Sequence, residues 1–164
     1  MTRVIRSLSG FGKSRDGAAL VEFSLLAPVL IMLMCGLSEF ANVMRQYHIM
    51  EKSVRDAARY LTRVPMTGCT VNGASITAAQ NLALTGITAS GGAYFLPTWA
   101  DPASVTVAVA DCVSNTTQTY RGHDQMPVIE VTARAPYQDL GMLGVIGIDD
   151  IELEVRHQQL WIGN

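Results

Sequence analysis

Apolar residues are concentrated in one uninterrupted stretch near the start of the chain, Ala18 to Ser38 (AALVEFSLLAPVLIMLMCGLS). Its 21 residues contain no basic group, one acid (Glu22), two serines and one proline. A helix of this length, at about 1.5 Å per residue, is about 31 Å long and matches a bilayer hydrocarbon core of about 30 Å. Because the stretch Leu25 to Leu37 is apolar on all sides of such a helix, the pattern predicts a membrane span rather than a buried core helix.

A removed secretory signal is the alternative interpretation of the same stretch. Such signals have an apolar region of about 7 to 15 residues followed by a small-x-small cleavage site. Here the apolar region is longer and continues directly into GLSEFANV. The sequence therefore favours a retained span.

The charges on either side of the span predict its orientation. Residues 1–17 carry four cations and one acid, a net charge of +3, so the remaining chain carries −5 to give the total of −2. The first cation after the span is Arg45. By the positive-inside rule, the N-terminus stays in the cytoplasm and the outer part faces away from it. We therefore expect three regions: a basic leader (1–17), a transmembrane segment (18–38) and an extracytoplasmic domain (39–164).

Beyond the span, the spacing of apolar residues predicts that the same helix continues as an amphipathic helix to about Arg63, where Pro65 ends it. Apolar residues recur at steps of three and four at Phe40, Val43, Met44, Tyr47, Met50, Val54, Ala57, Ala58 and Leu61. The opposite side carries Arg45, His48, Lys52, Arg55, Arg59 and Arg63.

The remaining pattern predicts one short helix and a small sheet. Residues 74–85 (ASITAAQNLALT) have helical spacing and end at Gly86, a typical helix terminator. Three segments alternate apolar and polar residues, as half-buried strands do: 104–110, 128–135 and 151–156. Segments 86–102 and 111–127 are expected to be loops. The predicted fold is α+β, with the outer half of the long helix packed on an antiparallel sheet of three or four strands.

Composition excludes several classes of function. The chain has 164 residues, 49% hydrophobic and only 16% charged, whereas soluble domains carry about 25% charged residues. This length excludes a large multidomain enzyme. A net charge of −2 gives no reason to expect a nucleic-acid partner, which requires a concentrated basic surface.

The three cysteines fit an outer domain in an oxidising compartment. Cys35 lies inside the span, which leaves Cys69 and Cys112 as a pair in the outer part. A disulfide between them is expected in such a compartment. Two buried free thiols are the alternative.

No motif predicts catalysis or a cofactor. The segment Ser9 to Ser14 (SGFGKS) lacks the glycine that a phosphate-binding loop needs at position 7, where Ser7 stands. His48, His123 and His157 have no neighbours at metal-ligand spacing, so no metal site is expected. The acids near the last strand (Asp149, Asp150, Glu152 and Glu154) fit a solvated face better than an acid and base pair. We expect no enzyme activity, no cofactor and no small-molecule substrate.

The residues around Gly17 resemble a known processing site. A basic leader ends in Gly17, an apolar helix starts directly at Ala18, and Glu22 and Phe23 occupy its fifth and sixth positions. This arrangement is similar to the cleavage site of type IV prepilins. With RDGAALVEFSLLAPVLIMLMCGLSEF and the later DAARY, the chain resembles TadE-like minor pilins (pseudopilins) of the Tad (Flp) pilus over about residues 15–61. The likeness is weaker over the sheet, where APYQDLGMLG is the similar segment.

The resemblance implies a structural role in a bacterial inner membrane. An aspartic prepilin peptidase on the cytoplasmic face would cut between Gly17 and Ala18 and leave residues 18–164 as the mature subunit. The long outer domain and Phe23, where major Flp pilins usually carry Tyr, indicate a minor pilin of either the TadE or the TadF type. Its partners would be other Tad pilus subunits and assembly-platform proteins, and the assembled pilus would support adhesion or secretion.

Glu22 has a physical reason to matter in this setting. An ionised acid at a helix centre in lipid costs about 2.5 to 3.5 kcal/mol on insertion scales, and such a group is usually paired or functional. After cleavage, the new α-amine of Ala18, in the same or a neighbouring subunit, would be its cation. The alternative is an acid that reaches the headgroups without a partner. For the chain as a whole, the alternative is an uncleaved single-pass protein whose outer domain acts as a binding or scaffold module.

Overall fold

The computed structural model describes residues 16–117, 124–144, 147–148 and 150–163, and it has an α+β fold. The elements are helix α1 (Asp16–Leu61), helix α2 (Gly73–Thr85), and strands β1 (Val105–Ser114), β2 (Gln125–Pro136) and β3 (Glu152–Leu160). A 3-10 turn at Pro102–Ser104 precedes β1. The predicted fold class is confirmed, with three strands. Residues 1–15 of the predicted leader lie outside the described residues.

The chain divides into two compact units between Phe40 and Ala41. The first unit contains the apolar part of α1, which remains helical through Pro28. The second unit contains the remainder of α1, α2 and the sheet. Helix α1 ends at Leu61 and a turn follows, in which the Arg63 N–H donates to the Tyr60 carbonyl at 3.1 Å.

Capping residues explain where α2 begins and where it ends. The Asn72 side chain accepts a hydrogen bond from the Ser75 backbone N–H at 2.7 Å, which caps the N-terminus. At the other end, Gly86 adopts a left-handed conformation (φ 80°), and its N–H bonds the Leu82 carbonyl. A Cβ at Gly86 would lie 2.8 Å from the Phe95 ring. Both this close approach and the left-handed backbone therefore exclude a side chain at this position. The predicted helix is confirmed to within one residue at its start.

The sheet is antiparallel with strand order β1-β2-β3. Its central strand β2 pairs Val131 with Val107 on one side and with His157 on the other. The predicted loop over 111–127 is wrong at both ends, because β1 continues to Ser114 and β2 begins at Gln125. The last strand also continues past its predicted end, to Leu160.

One core holds the second unit together. It combines the later part of α1, α2 and the inner face of the sheet. Its fully buried members include Met50, Val54, Ala57, Ala58, Leu61, Ala79, Ala83, Leu84, Trp99, Val105, Ile129, Val131 and Ala133. The predicted packing of the outer half of the helix on the sheet is therefore correct.

The buried face of α1 differs from the predicted one near the start of the second unit. Phe40, Met44 and Tyr47 were expected to face inwards, but their exposed fractions are 61%, 36% and 37%. Gln46 and Ser53 are buried in their place. The physical reason is that Gln46 makes hydrogen bonds inside the fold, described below, so the buried stripe follows Gln46, Met50 and Ser53.

Candidate functional site

The first unit presents an apolar helix surface with no protein around it. Among the described residues, α1 is the one helix long and apolar enough to cross a membrane, and none of its most apolar 18-residue window is buried. Its large apolar side chains from Leu20 to Leu37 have exposed fractions between 53% and 73%. This segment is therefore not a core helix of the described chain. It is a candidate membrane anchor.

The two serines of the segment satisfy their hydroxyl groups within the helix. The Ser24 hydroxyl donates to the Val21 carbonyl at 2.8 Å, and the Ser38 hydroxyl donates to the Met34 carbonyl at 2.9 Å. Such back-bonding removes the penalty of placing a free hydroxyl donor in an apolar medium. Both serines are thus compatible with a lipid environment.

Glu22 is the exception in this segment. It is the one charged side chain between residues 18 and 38, and it is exposed on the helix surface. Within the part of the chain that the structure describes, no hydrogen bond or ion pair reaches its carboxylate. Any partner of this acid would therefore come from outside the described residues.

The predicted cleavage position lies within the described part of α1. Gly17 and Ala18 are both helical and exposed, and they directly follow Asp16, the first described residue. A Cβ added to Gly17 would meet nothing within 4 Å, so packing in this chain does not demand glycine there. Glycine in a helix costs about 1 kcal/mol relative to alanine, so Gly17 weakens the helix locally.

Ala18 and Glu22 share one face of the helix, whereas Phe23 lies about 100° around the helix from Glu22. Ala18 and Glu22 are four residues apart and so lie on the same face of α1, one turn from each other. Phe23 follows Glu22, with 64% of its side chain exposed. If the helix began at Ala18, Glu22 would lie close to its N-terminus, where the helix dipole favours negative charge.

Cys69 and Cys112 form a disulfide in the structure, with Cα atoms 6.0 Å apart. That separation lies within the usual range of about 4.4 to 6.8 Å. The bond joins the segment between α1 and α2 to strand β1. Cys35 is a free thiol within the apolar segment.

A group of polar side chains that sequence analysis missed links α1 to the segment after β2. Gln46 is 2% exposed; its Nε2 donates to the Gln138 carbonyl at 2.7 Å, and its Oε1 accepts from the Gln138 N–H at 3.2 Å. Asn42 donates through Nδ2 to the same carbonyl at 2.8 Å and to the Tyr137 hydroxyl oxygen at 3.0 Å. The one available signal was that Gln46 falls in line with Met50 and Ser53 at helical spacing.

The outer face of the sheet carries paired charges rather than a reactive site. Arg134 lies 3.1 Å from Glu154, and Arg156 lies 3.7 Å from Glu130. In the described part of the chain, no group of His, Cys, Asp and Glu residues is arranged to hold a metal ion. His123 lies outside that part.

Comparison with known proteins identifies the first helix as the recognisable part of the chain. The family model described as TadE-like protein matches residues 17–59. The match starts at Gly17 and lies wholly within α1. It confirms the predicted resemblance and is consistent with a TadE-like pilin of the Tad system. The searches of curated proteins and of solved structures found no match.

Proposed function

We propose that this chain is a structural minor pilin, or pseudopilin, that residues 18–38 anchor in the bacterial inner membrane and that a prepilin peptidase cuts after Gly17. The TadE-like match suggests involvement in Tad pilus assembly, and the proteins of that family are structural rather than catalytic. One observation carries the proposal. An exposed apolar helix bears a single charged group, Glu22, at the fifth position after Gly17.

Membrane storage follows from the surface of the first unit. Its large apolar side chains each expose more than half of their surface. In water, such exposure costs about 25 cal/mol of free energy per Å² of apolar surface. Lipid removes that cost, and the basic residues before Gly17 favour a cytoplasmic N-terminus. The second unit, with its disulfide, would then lie in the periplasm.

Cleavage would supply a partner for Glu22, which has none among the described residues. Cutting the Gly17–Ala18 bond creates an α-amine at Ala18, and an amine carries a positive charge at neutral pH. In the membrane, an ion pair between Glu22 of one subunit and this amine of its neighbour would be strengthened by the low dielectric constant. Such a pair would set the position of one subunit along the next. Phe23 and the surrounding apolar side chains would then pack between subunits.

Processing and assembly can be tested together with two glycine variants that differ only in position. Gly17→Leu and Gly36→Leu both add a side chain where a Cβ meets nothing within 4 Å, so neither should disturb the fold. We expect Gly17→Leu to stay at full length in the membrane and to be missing from sheared pili. Gly36→Leu should be cut as the unmodified chain is. Each form would be followed by its mass and by immunoblotting of membrane and pilus fractions, with and without the peptidase.

Two results would contradict this proposal. One is Gly17→Leu reaching the pilus fraction at the normal level. The other is an unmodified chain that stays at full length beside an active peptidase, which would favour an uncleaved membrane-anchored binding or scaffold protein.

A further inference from the structure

We propose that the second units of two copies of this chain bind head to tail, with acidic side chains at one end of one copy placed in a cleft between Arg59 and Arg63 at the other end of its neighbour. The inference goes beyond the proposed function. It depends neither on the membrane nor on the peptidase, because both surfaces belong to the second unit.

Charges of opposite sign are separated along the sequence of this unit. Residues 41–63, the part of α1 that it contains, carry five cations and two acids, a net charge of +3. Residues 64–164 carry three cations and nine acids, a net charge of −6. Five of these nine acids fall within residues 138–155, which contain no cation. Such a separation favours association in which the basic part of one copy meets the acidic part of the next.

The basic end of the unit is an open cleft of about 310 Å³ where α1 ends, lined by Asp56, Arg59, Tyr60, Arg63 and Val64. Arg59 and Arg63 are both exposed and lie four residues apart, so their side chains project from the same side. A guanidinium group presents a planar set of donors that matches a carboxylate. Two such groups in one cleft are suited to bind acidic side chains.

These two arginines differ from the other arginines of the second unit. Within the described part of the chain, no ion pair or side-chain hydrogen bond engages the guanidinium of Arg59 or Arg63, or the carboxylate of Asp56 beside them. Other arginines pair within their own chain: Arg55 with Glu51 at 2.7 Å, Arg134 with Glu154 at 3.1 Å, and Arg156 with Glu130 at 3.7 Å. The donors of the cleft therefore remain available to a partner.

The acidic end consists of Asp139, Asp150 and Glu152, which are all exposed. They flank the base of the connection between β2 and β3, where the Tyr137 N–H donates to the Ile151 carbonyl at 2.8 Å. Among the described residues, no ion pair reaches any of the three carboxylates. Three unpaired carboxylates are thus held near one another by the end of the sheet.

The contacts of α1 show that the two ends lie far apart within one copy. Next to the acidic end, the Gln46 side chain donates to the Gln138 carbonyl at 2.7 Å. Next to the basic end, the Trp161 Nε1–H donates to the Val64 carbonyl at 2.9 Å. After Gln46, α1 continues for 15 residues to its end, or about 22 Å. That length exceeds the reach of a side chain, so the arginines of the cleft do not pair with the acidic end of their own copy.

A second copy of the chain fits the cleft better than a nucleic acid does, because residues 64–164 would repel a polyanion. The contact joins two different surfaces, so each bound copy still presents one unoccupied basic end and one unoccupied acidic end. Contacts of this type repeat and form rings or filaments. A head-to-tail contact therefore suits a subunit that polymerises.

A charge swap in the full-length chain tests the contact. Self-association would be measured by sedimentation in a nonionic detergent at low salt. We expect Arg63→Glu and Glu152→Arg each to weaken it by about tenfold or more, because like charges then meet. An equal mixture of the two variants should recover it, because the altered ends complement each other. Arg45→Glu is the matched control, with the same change of charge at an exposed arginine of α1 outside the cleft.

Several results would overturn the inference. Association that resists both Arg63→Glu and about 0.5 M salt would belong to the apolar helix, and the proposed function would stand without the contact. Equal weakening by Arg45→Glu, or a mixture that does not recover, would show a general effect of charge. A chain that stays monomeric at low salt would also overturn it, and binding of oligoglutamate that Arg63→Glu abolishes would then identify a foreign acidic partner. Failure of cleavage would leave this measurement unchanged, because it uses the uncut chain.

Discussion

At the scale of single residues, Glu22 differs from every other side chain around it. The neighbouring serines bond their own helix, and the remaining side chains from Ala18 to Leu37 are apolar, with Cys35 as the single thiol. A carboxylate in that setting is tolerated near the headgroups but costs free energy deeper in the lipid. Such a group fits a pairing role better than a role in packing.

Replacing Glu22 by alanine should therefore separate insertion from assembly. We expect Glu22→Ala to insert at the normal level, because the segment becomes more apolar, but to appear in sheared pili at well under half the normal amount. Ser24→Ala is the control, because it removes only a hydrogen bond within the helix. Quantitative immunoblots of membrane and pilus fractions give both values. Normal incorporation of Glu22→Ala would contradict the pairing role.

Gln46 acts at the same scale, through stability. Gln46→Leu keeps a side chain of similar size but leaves the Gln138 N–H without its partner, while the Gln138 carbonyl keeps the bond from Asn42. An unpaired buried group of this kind costs about 1 to 3 kcal/mol. We expect the free energy of unfolding of the full chain to fall by that amount. It would be measured in detergent from the fluorescence of Trp99 and Trp161. Replacing the exposed Arg45 by alanine should change it by less than about 0.5 kcal/mol. Equal stability of Gln46→Leu and the unmodified chain would show that the link is dispensable.

At the scale of elements, the sequence predicts the ends of a helix or strand where residues within that element set them. It fails where pairing with another strand sets them. Helix α2 is predictable because Asn72 and Gly86 mark its ends locally. The second half of β1 is not, because the register shifts between Val109 and Asp111 and breaks the alternation of apolar and polar residues. The end of β3 is polar, and His157 belongs to the strand because it pairs with Val131.

The same limit applies to the candidate site. Gly17, Ala18, Glu22 and Phe23 can be identified because their spacing is contiguous in the sequence. The link from Gln46 to Gln138 joins residues 92 positions apart. Only the folded chain brings them together. Phe40, Met44 and Tyr47 have the spacing of buried residues, and no sequence pattern distinguishes an apolar row that faces the core from one that faces outwards.

The disulfide connects two elements that are far apart in sequence, so its loss should lower the stability of the second unit. The two cysteines are separated by 43 residues. Closing a loop of that length stabilises a fold by about 4 kcal/mol in the chain-entropy estimate. We expect reduction, or a paired Cys69→Ala and Cys112→Ala variant, to lower the free energy of unfolding by about 2 to 4 kcal/mol. Cys35→Ala, which leaves the disulfide intact, is the control. Two free thiols at Cys69 and Cys112 in protein from the periplasm would contradict the bond.

At the scale of the whole molecule, one helix contributes to two units with different surroundings. Up to Phe40 its apolar surface is exposed, and beyond Ala41 it supplies the core on which the sheet packs. A single continuous helix thus contains the candidate anchor and contributes to the core of the second unit. The family match covers the same helix. The residues that distinguish this chain therefore lie in the early part of this helix, from Gly17 to Phe23.

The most direct test of the account is the mass of the mature N-terminus. The full chain would be produced in cells with and without a prepilin peptidase, extracted from membranes in detergent, and analysed by intact-mass and N-terminal peptide mass spectrometry. The account predicts a chain that begins at Ala18 in the presence of the peptidase and at Met1, or at Thr2 after removal of the initiator methionine, in its absence. Retention of the leader through Gly17 beside an active peptidase, or an N-terminus at any other position, would contradict it.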